Sequence, residues 1–193
     1  MKISIKAFIT HKESETFYDC ADRYEYNDKL NRFAISDGVS KSFFPKIWAE
    51  VLVKNWVSMK WESHDDFIKE SQKQWLNKVK EFVIKPDVKY FTKNAFNRKA
   101  PGLATFVGLR FEKEETNWFW YANALGDSFL FFIPENFDNF SSETISLSSK
   151  SDEEELVFDN FPDYITSIGK KHKGYPGKEL KSQELKEGTF YLM

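Results

Sequence analysis

Two aspartates stand in the same local setting. Asp37 follows the apolar run FAIS and precedes Gly38, and Asp127 follows ANALG, so each sits where an apolar strand gives way to a turn. Strand ends are where a sheet displays functional groups. An Asp beside a Gly can bring a carboxylate and an exposed backbone carbonyl to one point, a donor pair that suits hard cations such as Mg²⁺ or Mn²⁺. Asp-Gly and Gly-Asp are also ordinary turn pairs, and on spacing alone the turn is the stronger reading. Other chemistry is harder to place. His11, His64 and His172 lie in polar segments with no nucleophile-elbow sequence nearby, which favours surface roles. The acid run 152–155 follows Ser151 and holds Glu154 at capping-box spacing, where acid in a first helical turn already has a reason to exist. No Gly-rich phosphate loop and no internal repeat occur.

The elements that would carry the two aspartates follow from the apolar pattern. A chain of 193 residues suits one domain over 1–193, and its 41% hydrophobic and 30% charged residues describe a globular protein rather than a disordered or fibrous one. A formal charge of −2 supplies no basic field for nucleic acid, so no nucleic-acid partner is expected. Cys20 is the only cysteine, which excludes an internal disulfide and points to a reducing cytoplasm. MKISIKAFIT alternates polar and apolar residues without the apolar core of a signal peptide, so it predicts a first strand over 3–10, and no membrane-spanning run follows. Residues 11–31 are a polar stretch with Asp and Asn turn formers, and a second strand covers 32–36.

After Pro45, the spacing of Ile47, Trp48, Val51, Leu52 and Trp56 predicts a helix, and Ser63 with Asp65 and Asp66 caps a second one that ends before Pro86. From Leu103 the pattern turns to strands: ATFVGLRF, a charged turn over 112–117, WFWYANAL, and SFLFFI after Gly126-Asp127. Trp118 and Trp120 point to one side and Phe119 and Tyr121 to the other, so this sheet needs cover on both faces. Near the end, EGTFYLM reads as a turn into a strand.

With these blocks in order, the chain resembles the metal-dependent protein phosphatase 2C family. FAISDGVSKS looks like the family's first Asp-Gly block, PGLATFVGLRF resembles its small-Thr-rich strand, and YANALGDSFLFFI is similar to its Ala-Asn-x-Gly-Asp-Ser block. FPDYITS and KEGTFYLM resemble the segments that follow. The resemblance implies an α+β fold, a four-layer sandwich in which two antiparallel sheets are flanked by helices. It implies hydrolysis of phosphoserine and phosphothreonine in a phosphoprotein substrate, with two Mg²⁺ or Mn²⁺ ions sharing a bridging water as nucleophile. Carried over by position, Asp37 would bridge the metals, the Gly38 carbonyl would bind one of them, and Asp127 would serve a third, peripheral ion. Asp22, in CADR, falls where the family's acids hold metal-bound waters.

The departures are specific. Ala21 stands where the family has an acid beside Asp22, no Arg matches the phosphate-gripping one upstream, and Val39 follows Asp-Gly where some members have His. In the family a strand like GTFYLM runs on into Thr/Ser-Asp-Gly, which would lie past Met193. The expectation is therefore a C-terminally truncated domain with an incomplete metal site, weak activity and an exposed sheet edge at 190–193 that invites self-association. The alternative is a non-catalytic phosphatase-like binding module.

Overall fold

A computed structural model describes residues 3–11, 13, 16–61, 63–133, 145–147, 163–169, 178–180 and 190–193. Its elements run in the order β1 (Arg23–Asn27), β2 (Arg32–Ser36), α1 (Pro45–Ser58), α2 (His64–Val83), α3 (Tyr90–Asn97), β3 (Leu103–Ala104), β4 (Phe106–Glu114), β5 (Asn117–Leu125), β6 (Leu130–Ile133), β7 (Ile145–Leu147), β8 (Ile165–Thr166), β9 (Lys178–Leu180) and β10 (Phe190–Leu192). Every strand pair is antiparallel, giving a five-stranded sheet β1-β2-β4-β5-β9, a three-stranded sheet β10-β6-β7 and the pair β3-β8. The chain is thus α+β, with helices gathered between strands of antiparallel sheets.

Strand alternation decides what the five-stranded sheet buries. Ala34, Phe106 and Leu125, with Ala104 of the neighbouring β3, face a cluster with Trp48, Leu52 and Trp56 of α1 and Phe67, Trp75 and Val79 of α2. Their neighbours Phe33, Ile35, Val107, Leu109, Trp118 and Trp120 turn the other way, onto Leu130 and Phe132 of β6 and Tyr191 of β10. Cover on both faces, expected from the Trp118–Tyr121 run, is therefore present: helices on one side, the second sheet on the other.

α1 begins as expected at Pro45, although Phe44 before it sits in the left-handed region at φ 49 and offers no side-chain cap. The carbonyl of Phe44 accepts from Trp48 N–H, and its ring packs edge-on against Phe43 and Phe82. α2 starts on its N-cap: Ser63 Oγ accepts from Asp66 N–H at 3.2 Å and donates to the Asp66 carboxylate at 2.7 Å. Among the described residues no helix is long and apolar enough to cross a membrane.

Two expectations fail. Residues 3–10 form no strand, although Ile3 still packs on the second core. The edge position beside β2 is taken instead by β1, which lies inside the stretch read as a polar connection. β1 alternates half-buried Arg23, Glu25 and Asn27 with exposed Tyr24 and Tyr26, the pattern of a half-covered edge strand. Its turn back to β2 is built by Asn27 Oδ1, which accepts from Lys29 and Leu30 N–H at 3.1 Å each. α3 was not expected; it is a short helix that fully buries none of its residues, although Phe96 packs partly buried against the first core. The capping box at 151–154 and His172 lie outside the described residues.

Candidate functional site

The ladder registers bring the separated acids to one end of the five-stranded sheet. The β1–β2 ladder ends with Arg23 opposite Ser36, so Asp22 and Asp37 are the next residues of their strands. Asp37 is next to Thr105 in turn, since its carbonyl accepts the Thr105 N–H at 2.9 Å. The β4–β5 ladder ends with Phe106 opposite Leu125, one residue before Thr105 and Gly126. Asp22, Asp37, Thr105 and Gly126 thus form one row across four strands, with Asp127 leading out of it. Adjacent strands are about 4.8 Å apart, so the Asp37 and Gly126 backbones are separated by about 10 Å, two strand spacings. Asp37 and Asp127 are exposed and Asp22 is half-buried.

Close packing holds the backbone of this row. Gly126 has φ +91, and a Cβ on it would come within 2.5 Å of Thr105 Cγ2 and 2.7 Å of the Asp163 carbonyl, so no other residue fits the turn. Gly38 is buried against the first turn of α1, where a Cβ would lie 2.8 Å from the Pro45 carbonyl. It forms an isolated bridge with Ala104, flanked by the bonds Thr105 N–H to Asp37 and Val39 N–H to Leu103. In an antiparallel pair flanked this way, the bonds belong to the neighbouring residues, and the N–H and C=O of Gly38 itself are directed away from β3.

Hydroxyl groups tie the row together. Thr105 Oγ1 and Ser128 Oγ are 2.6 Å apart, and Ser36 Oγ donates to the Thr105 carbonyl at 2.7 Å. Neither Thr105 nor Ser36 was singled out from sequence. The available signal was the small-residue strand LATF and the serine of the Gly-Asp-Ser block, since small hydroxyl side chains at a strand end can reach across to a neighbouring turn.

The donors present are hard oxygens, the type a Mg²⁺ or Mn²⁺ ion takes. Among the described residues no three His, Cys, Asp or Glu side chains gather closely enough to hold a metal ion. Arg23, next to Asp22, turns Nη1 back onto the local backbone, donating to the carbonyls of Cys20 at 3.0 Å and Asp22 at 2.6 Å. Ala21 is buried. Of the histidines, His11 is exposed as expected. His64 is half-buried at the start of α2, with Nε2 3.3 Å from Asn123 Oδ1, on the helix-covered face of the sheet.

No protein-family profile, curated protein or solved structure matches the chain.

Proposed function

We propose that this chain carries a metal-dependent phosphomonoester hydrolase site of the protein phosphatase 2C type, directed at phosphoserine and phosphothreonine in proteins. The observation that carries the reading is the single row at one sheet end: Asp22, Asp37-Gly38 and Gly126-Asp127, spread over more than 100 positions of sequence, meet there. In this reading the two packed sheets are the inner layers of a four-layer sandwich, and the protein works in a reducing cytoplasm.

The Asp37 carboxylate and the Gly38 carbonyl would hold Mg²⁺ or Mn²⁺, Asp127 a peripheral ion, and Asp22 would orient water. A bound divalent cation acidifies water and offsets charge on phosphoryl oxygens. Asp37 supplies its carboxylate from a backbone already anchored by Thr105, so cation binding costs little reordering of the strand. The second reading, a non-catalytic phosphatase-like binding module, is favoured by Ala21 in the place of an acid and by the lack of a three-acid cluster among the described residues.

Mn²⁺ titration calorimetry followed by hydrolysis of para-nitrophenyl phosphate tests both. Weak turnover that needs Mn²⁺ and is removed by a chelator supports the phosphatase. Absence of both Mn²⁺ binding and turnover, with retained binding of phosphoserine peptides, supports the binding module.

A further inference from the structure

We infer that Thr105 is a positioning residue that sets the spacing between the Asp37 and Asp127 turns, an inference that rests on the phosphatase reading for its functional meaning. Thr105 is 1% exposed and joins the row on both sides. On the Asp37 side, its N–H is held by the Asp37 carbonyl and its own carbonyl accepts from Ser36 Oγ. On the Asp127 side, its hydroxyl is shared with Ser128 at 2.6 Å, and its methyl lies where any side chain on Gly126 would have to go.

The covalent chain makes this joint necessary. Thr105 stands where the ladders divide: β4 after it pairs with β5, whereas β3 before it pairs with β8, Ala104 opposite Ile165. The Gly126-Asp127-Ser128 turn therefore has no continuing backbone ladder to β3. The Thr105–Ser128 hydroxyl contact spans that gap. Groups that orient ligands at second hand change metal affinity by about 10–100-fold when removed.

The test compares Thr105→Val, which keeps the shape and removes the hydroxyl, with Thr105→Ser, which keeps the hydroxyl, and with Ser128→Ala. Mn²⁺ affinity by calorimetry and amide shifts in ¹H–¹⁵N spectra are read on the full chain. Thr105→Val and Ser128→Ala are expected to weaken Mn²⁺ binding by about tenfold and to move the Gly38 and Asp127 amides together. Thr105→Ser is expected to retain wild-type affinity, and the Val/Ala double variant to show no more than the larger single effect. Wild-type affinity in Thr105→Val, or shifts confined to β4, would overturn the inference. If the wild type binds no Mn²⁺, the phosphatase reading fails by itself, and the paired amide shifts still decide the role of Thr105. Should Thr105→Val not fold, Ser128→Ala carries the same comparison.

Discussion

Trp56 of α1 lies so close to Gly108 of β4 that a methyl group on the glycine would come within 2.4 Å of the indole Cε2. The same indole packs edge-on against Phe67 and Phe106 and is wholly buried, so it has no room to retreat. Gly108→Ala should therefore destabilise the fold by about 1–3 kcal/mol through overpacking. Urea denaturation followed by Trp fluorescence measures this, and an unchanged midpoint would show that α1 can shift on the sheet.

Tyr191 predicts an alkaline weakness. Its hydroxyl oxygen is buried with no hydrogen-bond partner among the described residues, and burial pushes the phenol well above its ordinary value near 10. A group whose folded value is raised stabilises the fold fully below its unfolded value and loses that contribution as pH climbs. The melting temperature should fall from about pH 10 upward. Tyr191→Phe should flatten part of that fall while leaving stability at pH 7 unchanged or slightly higher, because no bond is lost. Identical alkaline profiles for the two proteins would assign the loss to another group. Tyr121 is one, held up by its hydrogen bond to Glu114.

Helices α1 and α2 and strands β2, β4, β5 and β6 were legible because burial on one or both faces writes a period into the sequence. Ser63, Asp65 and Asp66 marked the start of α2 by the same logic that caps it. β1 was not legible: its core-facing residues are Arg23, Glu25 and Asn27, which are half-buried against a helix rather than packed into a core. Asn27 Nδ2 donates to the Val57 carbonyl, a contact between residues 30 apart that no local pattern announces. Conversely, the alternation at 3–10 is real but finds no ladder partner. The aspartates of the candidate site stood out as strand-end residues. Their common row did not, because register is a property of pairing and not of any one strand.

Asp37 separates the chemical role from the structural one. Its bond to Thr105 uses the backbone carbonyl and its side chain is exposed. Asp37→Asn keeps that backbone bond and the shape of the side chain, so the unfolding free energy should change by no more than about 1 kcal/mol. On the proposed reading it removes Mn²⁺ binding and any Mn²⁺-dependent turnover. Unchanged turnover in this variant would refute the metal assignment, and a collapsed fold would show that the carboxylate is structural.

The last prediction concerns β10. It pairs with β6 along one side and stands at the edge of its sheet among the described residues. Tyr191 of β10 and Met193 just after it pack on the second core, while Leu192 is 50% exposed. An edge strand with an exposed leucine presents backbone groups and apolar surface to another chain. Light scattering over a concentration series should show the mean mass rising. Leu192→Lys, which sets a charge on that edge, should hold the protein monomeric to higher concentration. A wild type that stays monomeric throughout would mean the edge is covered within the chain. Association that persists unchanged in Leu192→Lys would move the contact elsewhere, and Tyr90 and Phe91, exposed at 75% and 82%, are the next surface to vary.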